Sequence, residues 1–160
     1  IGKLPREFKL LLVGWGPLQQ KLFDLANRVA PMRCIITPAN GHLGDYYSAL
    51  DAFCLPSESE GFGLATLEAL FCGVPVVTTD SGFAPELLLD RVQYIQCSGH
   101  ADSIAESMKM LAGNPHWATG LAAEGRSVAE GFGFANRMCR EYEALMLRLW
   151  AAARKPAPTR

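Results

Sequence analysis

The fold is decided by the stretch Pro56-Ser57-Glu58-Ser59-Glu60-Gly61-Phe62-Gly63-Leu64-Ala65-Thr66-Leu67-Glu68-Ala69-Leu70. It follows the apolar run Ala52-Phe53-Cys54-Leu55, which is typical of a buried strand, and it continues into a helical pattern of apolar residues. The predicted order is therefore a strand, a tight turn with two glycines, and a helix that begins at the turn. Such a helix start directs unpaired backbone N–H groups and the positive end of its dipole at one point, which favours a phosphate.

Two carboxylates flank this predicted anion site. Glu60 lies just before the turn and Glu68 lies on the helix, while Gly61 and Gly63 allow a ligand to approach the backbone without meeting a Cβ. A carboxylate repels a neighbouring phosphate, so its presence at this site requires a separate role, such as binding sugar hydroxyls. The combination predicts a nucleotide-sugar site.

A structural interpretation exists for each of these residues. The glycines are ordinary turn residues, and a carboxylate near a helix N-terminus contributes about 0.3–1 kcal/mol to stability, which makes Glu60 a possible cap. Glu68 is predicted to lie on a buried helix, where a glutamate needs partners. Eight helical residues span ~12 Å, so the spacing does not favour the ~5 Å separation of a glycosidase-type double displacement, although Glu60 can fold back.

The rest of the chain alternates between short apolar runs and helical patterns, which predicts βαβ units and a parallel sheet. Ligands of such sheets bind beyond the carboxyl ends of the strands. Gly14-Trp15-Gly16 follows a strand at Phe8 to Val13 and lies at that same edge, so both glycine turns could face one ligand. The pattern lacks the third glycine of a dinucleotide fingerprint; Gly16 shapes this turn and is a candidate lining residue of the phosphate cavity.

Length and composition predict one globular domain over residues 1–150, with a disordered tail at 151–160 that has two prolines and no periodicity. Fifteen basic residues balance sixteen acidic ones without a basic patch, which argues against nucleic acid as a partner. No apolar run approaches the ~20 residues of a membrane span. The first residue is Ile1 rather than Met, so the start of the natural chain is expected to be missing.

The cysteines and histidines show no metal-ligand spacing, and neither a metal nor a cofactor is predicted. The five cysteines are scattered and lie in apolar runs, so we predict buried, reduced thiols and a cytoplasmic protein.

The segment Pro56-Ser57-x-x-Glu60-Gly61-Phe62-Gly63, with Glu68 eight positions after Glu60, resembles the Glu-x7-Glu motif of retaining glycosyltransferases with the GT-B fold, in particular family 4. The resemblance continues from Cys72 to Glu86, includes Leu12 to Pro17, and covers roughly residues 8 to 150. It implies an α/β fold, a Rossmann-like parallel sheet flanked by helices, which is the C-terminal, donor-binding half of a GT-B enzyme. The fold of this family requires no catalytic metal.

The resemblance also implies roles for individual residues. Glu68 binds the ribose hydroxyls, and Glu60, the catalytic candidate, contacts hydroxyls of the transferred hexose near the reacting carbon. The loop from Thr37 to Asn40 selects the base. The remaining residues of the glycine turn hold the diphosphate of the donor: Gly61, Phe62, Gly63 and Leu64. The implied reaction retains the anomeric configuration through a front-face displacement in which the leaving diphosphate acts as the base.

The sequence departs from the family in three places. Phe83 stands where the second glycine of Gly-Gly-x-Pro-Glu is usual, where it would crowd a cavity wall, and the Glu86 of that segment is predicted to be a cap. Lys3 and Arg6 do not match the Arg/Lys pair that clamps the diphosphate after the first strand. The N-terminal acceptor-binding domain is also absent, and it is the predicted partner of the apolar helix ending at Leu145 to Trp150. Peripheral membrane association of the full enzyme is the alternative use of that helix.

These departures leave two other functions open. The first is a non-catalytic nucleotide-binding or scaffolding remnant, which the missing clamp and Phe83 favour. The second is another GT-B enzyme such as a sugar-nucleotide epimerase, against which the Glu-x7-Glu spacing argues.

Overall fold

Five short strands alternate with seven helices in residues 1–131 and 134–153, which are the residues described by the structure, a computed structural model. In chain order the elements are β1 (Leu10–Val13), α1 (Gln19–Val29), β2 (Cys34–Thr37), α2 (Leu43–Ser48), β3 (Phe53–Leu55), α3 (Leu64–Phe71), β4 (Val76–Thr78), α4 (Ala84–Leu87), β5 (Ile95–Gln96), α5 (Ala101–Gly113), α6 (Pro115–Gly131) and α7 (Phe134–Ala153). The predicted α/β alternation is confirmed.

The end of the domain differs from the prediction by three residues. Helix α7 continues to Ala153, so 151–153 belong to the helix and not to the tail that was predicted to begin at residue 151. The rest of that tail, 154–160, lies outside the described residues.

The strands are all parallel, but they form two sheets instead of the one expected. β1 pairs with β2 in the register Leu10 to Cys34. The second sheet has the order β3-β4-β5, with Phe53 opposite Val76 and Val77 opposite Ile95. The division into two sheets leaves both glycine turns at their predicted positions, because each turn follows the carboxyl end of its own strand.

The hydrophobic core lies around α3, β4, β5 and α6. It consists of two clusters, one that includes Leu70, Val76 and Tyr94, and one that includes Val77 and Ile95. Helix α6 approaches α3 closely at Gly125, where an added Cβ would lie 2.5 Å from Leu70 Cδ2. Residues 1–46 contribute no member to either cluster. The buried core residues therefore lie in the quoted stretch and in the part of the chain that follows it.

The prediction of buried cysteines holds for Cys97 and is wrong for Cys139, which is exposed on α7. The other three, Cys34, Cys54 and Cys72, are half-buried. Arg137, Arg140 and Glu141 lie next to Cys139 in the sequence, so the apolar surroundings that the prediction assumed are not present there.

We expect the thiols to differ sharply in reactivity. Burial and the neighbouring Cys97 raise the pKa of the Cys54 thiol to about 12, and burial also raises the pKa of Cys97. Because the thiolate is the reactive form, Ellman's reagent at pH 8 should modify Cys139 rapidly and Cys54 and Cys97 only after denaturation. Cys139→Ser should remove the fast phase. A fast phase that survives in this variant would contradict the assignment.

The same shift predicts a pH dependence of stability. The folded-state pKa of Cys54 is raised from 9.0 to about 12, so the folded protein retains a proton that the unfolded chain releases. Stability from this group is present below pH 9 and is lost as the pH rises towards 12. Denaturation midpoints of wild type and Cys54→Ala, measured at pH 8 and pH 10.5, should converge at the higher pH.

Candidate functional site

The turn after β3 has the geometry that the sequence predicted. Gly63 is the N-cap of α3 with φ +89°, in the left-handed region that favours glycine. No side chain caps the helix, and the Gly63 carbonyl accepts the N–H groups of Thr66 and Leu67. The helix N-terminus is therefore open to an anion at the carboxyl edge of the sheet.

The segment after β4 packs against this turn. The Phe83 N–H donates to the Phe62 carbonyl oxygen at 2.9 Å, and the two rings stack with centroids 4.9 Å apart. Gly82 lies at φ +66°, and a Cβ there would be 2.4 Å from the same Phe62 oxygen. Phe83 is buried, with 4% of its surface exposed, so it packs behind the turn instead of standing as a free cavity wall.

Glu60 is half-buried and is held from its own loop. The Ser57 hydroxyl donates to Glu60 Oε1 at 2.7 Å, and the Thr79 hydroxyl after β4 donates to the Ser57 carbonyl oxygen. The interpretation of Glu60 as a side-chain cap is not supported, because the cap position is Gly63 and no side-chain cap bond is formed. The hydrogen bonds fix one carboxylate oxygen of Glu60 at the mouth of the turn.

Glu68 has the partner that a half-buried glutamate requires. Tyr47 on α2 donates its hydroxyl to Glu68 Oε2 at 2.7 Å, and its ring packs edge-on against Phe53 at 5.7 Å. Burial, followed by the hydrogen bond and charge of Glu68, raises the pKa of Tyr47. The tyrosine therefore remains a neutral donor and orients the carboxylate.

The neighbouring Tyr46 holds the loop after β2. Its hydroxyl donates to the Asn40 carbonyl oxygen at 2.8 Å and accepts the Asn40 N–H at 3.1 Å. Thr37, the last residue of β2 before that loop, donates its hydroxyl to the Pro38 carbonyl oxygen at 3.2 Å. Consecutive residues of α2 thus contact the loop of Thr37 and the carboxylate of Glu68.

The remaining predicted residue, Gly16, lies on the other sheet. It borders a cavity of about 340 Å³ between the end of β1 and the start of α1. A second cavity of about 300 Å³ lies beside the turn and is lined by Ser57 and Thr79 among others. Within the described part of the chain, no hydrogen bond joins the turn at Gly16 to the turn at Gly61. The turn at Gly16 instead adjoins the Thr37 loop, because the Gly14 N–H donates to the Thr37 carbonyl oxygen at 2.8 Å.

Sequence reasoning missed three residues that the structure brings to the site. Ser57 lies within the quoted stretch, and its position three residues before Glu60 in a turn was a readable signal. No sequence signal pointed to Tyr46 or Tyr47, because their hydrogen-bond partners lie elsewhere in the sequence. Among residues 1–131 and 134–153, no group of three potential metal ligands is present, and no helix there is long and apolar enough to cross a membrane.

These features define a class of protein. An open helix N-terminus behind a glycine turn, at the carboxyl edge of parallel strands, is typical of a doubly wound, nucleotide-binding α/β domain. Here two carboxylates that accept hydroxyl hydrogen bonds flank that turn. The family profile described as "Glycosyl transferases group 1" matches residues 2–114, and the chain belongs to this family.

Curated relatives are longer glycosyltransferases. A D-inositol 3-phosphate glycosyltransferase of Xylanimonas cellulosilytica is 31% identical over 98% of this chain and 38% of its own length. A GDP-mannose-dependent alpha-(1-6)-phosphatidylinositol monomannoside mannosyltransferase of Mycolicibacterium smegmatis is 31% identical over 73% of this chain and 34% of its own. The chain spans between 24% and 38% of the length of the first relatives that it matches.

Solved structures agree on the fold. Anabaena Alr3699/HepE in complex with UDP is 19% identical, with a TM-score of 0.80 over 89% of this chain and 43% of that one. The C-terminal domain of a glycosyl transferase group 1 family protein (LpcC) from Francisella tularensis is 18% identical, with a TM-score of 0.64 over 81% and 87%. At these identities the likeness concerns the fold alone, and it confirms the C-terminal half of a GT-B fold.

Proposed function

We propose that the chain is the donor-binding domain of a retaining, family 4-like glycosyltransferase that transfers a hexose from a nucleotide diphosphate sugar. The acceptor-binding domain is its partner in the full-length protein. The acceptor hydroxyl attacks the anomeric carbon on the face that the diphosphate leaves, the glycosidic bond forms as the bond to the diphosphate breaks, and a diphosphate oxygen takes the proton. The named relatives that transfer sugars, and the UDP complex of the similar fold, support this proposal.

The observation that carries the proposal is the pair of oriented carboxylates on either side of the Gly61 turn. Glu60 is fixed by Ser57 on one side and Glu68 by Tyr47 on the other. Each bond occupies one carboxylate oxygen and leaves the second for a sugar hydroxyl. Glu68 binds the ribose, the turn from Gly61 to Leu64 binds the diphosphate, and Glu60 binds the hexose.

Fewer contacts support the assignments of the base loop and of Gly16. The loop that begins at Thr37 selects the base, and Tyr46 holds that loop in place. Gly16 lines the far side of the phosphate cavity. The free cysteines among the described residues support a reducing compartment, and we assign the protein to the cytoplasm.

The 160-residue chain should bind nucleoside diphosphates with millimolar affinity and transfer no sugar alone. It has the open helix N-terminus but spans at most 38% of the length of the first relatives that it matches. Calorimetry with UDP, GDP and ADP tests the binding, and the matching nucleoside without phosphate is the control. Absence of binding of all three at millimolar concentration would contradict the donor-domain assignment. A full-length protein that binds a nucleoside diphosphate but transfers no sugar would favour the alternative, a non-catalytic nucleotide-binding remnant.

Glu68→Ala should weaken nucleotide binding by about 1.5–3 kcal/mol, the range for hydrogen bonds to a charged group. A 2′-deoxy nucleotide should lose part of that energy with the wild type and nothing further with the variant. Glu86→Ala, which removes an exposed carboxylate from α4, is the matched control and should bind normally. If the 2′-deoxy nucleotide loses the same binding energy with the wild type and with Glu68→Ala, Glu68 does not bind the ribose.

A further inference from the structure

The peptide bond between Phe62 and Gly63 is held in one orientation by the segment that follows β4. Its carbonyl oxygen accepts the Phe83 N–H at 2.9 Å. Because the oxygen and the hydrogen of a planar trans peptide point to opposite sides, the Gly63 N–H is directed away from the Phe83 N–H. The direction of this one donor in the turn is therefore set by a residue from another loop.

The Gly63 N–H has no acceptor within the chain as described. Gly63 is a buried residue, yet no oxygen of residues 1–131 or 134–153 accepts its N–H. Buried backbone N–H groups of native proteins are nearly always paired. The turn therefore keeps one oriented donor for an oxygen that comes from outside the chain.

The Phe83 ring contacts both residues of the same peptide. It stacks on the Phe62 ring, with 4.9 Å between centroids and 17° between planes. An added Cβ at Gly63 would lie 4.0 Å from Phe83 Cδ1. Phe83 also belongs to the buried cluster that includes Leu70 and Val76, so this ring attaches the turn to the hydrophobic core.

A phenylalanine at this position can act on a ligand in two opposite ways. The sequence predicts that Phe83 crowds a cavity wall, which would weaken binding of the donor. In the structure, however, Phe83 lines neither of the two cavities described above, and its surface is covered by the turn and the core. The contacts favour support of the turn over obstruction of the site.

We propose that Phe83 is a positioning residue of the donor site. Its N–H and its ring hold the Phe62–Gly63 peptide in the orientation that presents the Gly63 N–H to a diphosphate oxygen. The inference rests on the proposed function, since it takes a nucleoside diphosphate as the ligand. A donor that is oriented in advance costs no rearrangement when the anion binds. The glycine that is usual at this place in the resembled enzymes has the N–H but no ring, so the ring adds a second constraint on the turn.

Nuclear magnetic resonance of the isotope-labelled 160-residue chain tests the proposal, with UDP, GDP and ADP as probes. In the wild type, the Gly63 amide signal should shift when a nucleotide binds. In Phe83→Gly the dissociation constant should rise by about 3- to 10-fold, the range by which a stacked aromatic pair exceeds plain burial. The Gly63 shift, extrapolated to saturation, should become smaller.

A second measurement needs no ligand. The protection factor of the amide at position 83 against hydrogen exchange should fall by at least about tenfold in Phe83→Gly, because the bond to the Phe62 oxygen opens more often without the ring. Phe83→Leu keeps an apolar side chain but not the stack, and it should give intermediate values in both measurements. It carries the same tests if Phe83→Gly does not fold.

Two further variants separate positioning from a general loss of stability. Leu121→Ala removes a side chain that is 2% exposed from the other buried cluster. It should lower the melting temperature but leave the Gly63 shift and the dissociation constant unchanged. Phe62→Leu should weaken binding as Phe83→Leu does, and the double variant should lose little more than either, because both substitutions remove the same stack.

Three results would overturn the proposal and leave the proposed function standing. Tighter nucleotide binding by Phe83→Gly than by the wild type would show that the ring crowds the site. A Gly63 shift and a dissociation constant in the Phe83 variants equal to those of Leu121→Ala would make Phe83 a core residue only. Wild-type binding without a shift at Gly63 would assign the diphosphate to other donors. If none of the three nucleotides binds the wild type, the proposed function fails and this inference fails with it.

Discussion

Glu60→Gln in the full-length protein is expected to lower the turnover number by about 10²-fold or more, within the range for removal of a single electrostatic group at a reacting centre. The carboxylate lies at the mouth of the turn with one oxygen bound to Ser57, and its charge favours the positive charge that develops on the hexose. Glutamine keeps the shape and the bond to Ser57 but removes the charge. Nucleoside diphosphate affinity should stay within about threefold, because backbone N–H groups bind the phosphates.

The matched control is Glu58→Gln, which removes a charge from an exposed residue two positions earlier in the same loop. It should leave turnover, affinity and melting temperature unchanged. If Glu60 only stabilised the helix through its dipole, Glu60→Gln would lower the melting temperature slightly and leave turnover intact. Near-normal turnover of Glu60→Gln would therefore exclude the catalytic assignment.

Gly82→Ala is expected to lower the free energy of unfolding by roughly 3 kcal/mol. The methyl group would lie 2.4 Å from the Phe62 carbonyl oxygen, which belongs to the backbone and cannot rotate away. The left-handed φ adds about 1–2 kcal/mol for a residue with a Cβ, and overpacking adds about 1–3 kcal/mol. For a domain of this size, this loss corresponds to a decrease in melting temperature of about 6–12 °C.

Calorimetric melting of Gly82→Ala checks this prediction, with Gly99→Ala as the control. A Cβ at Gly99 would meet only Thr79 Cγ2 at 4.0 Å, so that variant should melt within about 0.5 kcal/mol of the wild type. Nucleotide binding should fall in Gly82→Ala as well, because the displaced segment carries Phe83 away from Phe62. A melting temperature equal to that of Gly99→Ala would mean that the turn relaxes without cost.

The local elements were predictable because their causes are local. The turn from Glu60 to Gly63 follows from glycine backbone freedom and from the end of an apolar run, and α3 follows from its apolar period. In the structure, the turn and α3 both lie at the positions predicted from the sequence. The role of Ser57 was within reach for the same reason.

The features that were missed depend on contacts between distant parts of the chain. Tyr47 reaches Glu68 across 21 residues, and no periodicity records such a pair. No residue of α1 is buried. The sequence did not predict this exposure, because an amphipathic pattern indicates which side of a helix needs burial but not whether a neighbour covers it. The two-part sheet was also unpredicted, since the pattern of a strand does not indicate which other strand it pairs with.

The adjacency of Tyr46 and Tyr47 has a consequence for how donor preference can evolve. One tyrosine holds Asn40 in the loop proposed to select the base, and the next holds Glu68, proposed to bind the ribose. A rotation of α2 that reshapes the loop for another base would turn both hydroxyls together and move the ribose carboxylate with it. Changes of base preference are therefore expected to arise from substitutions in the loop itself, while α2 is inherited as a fixed unit.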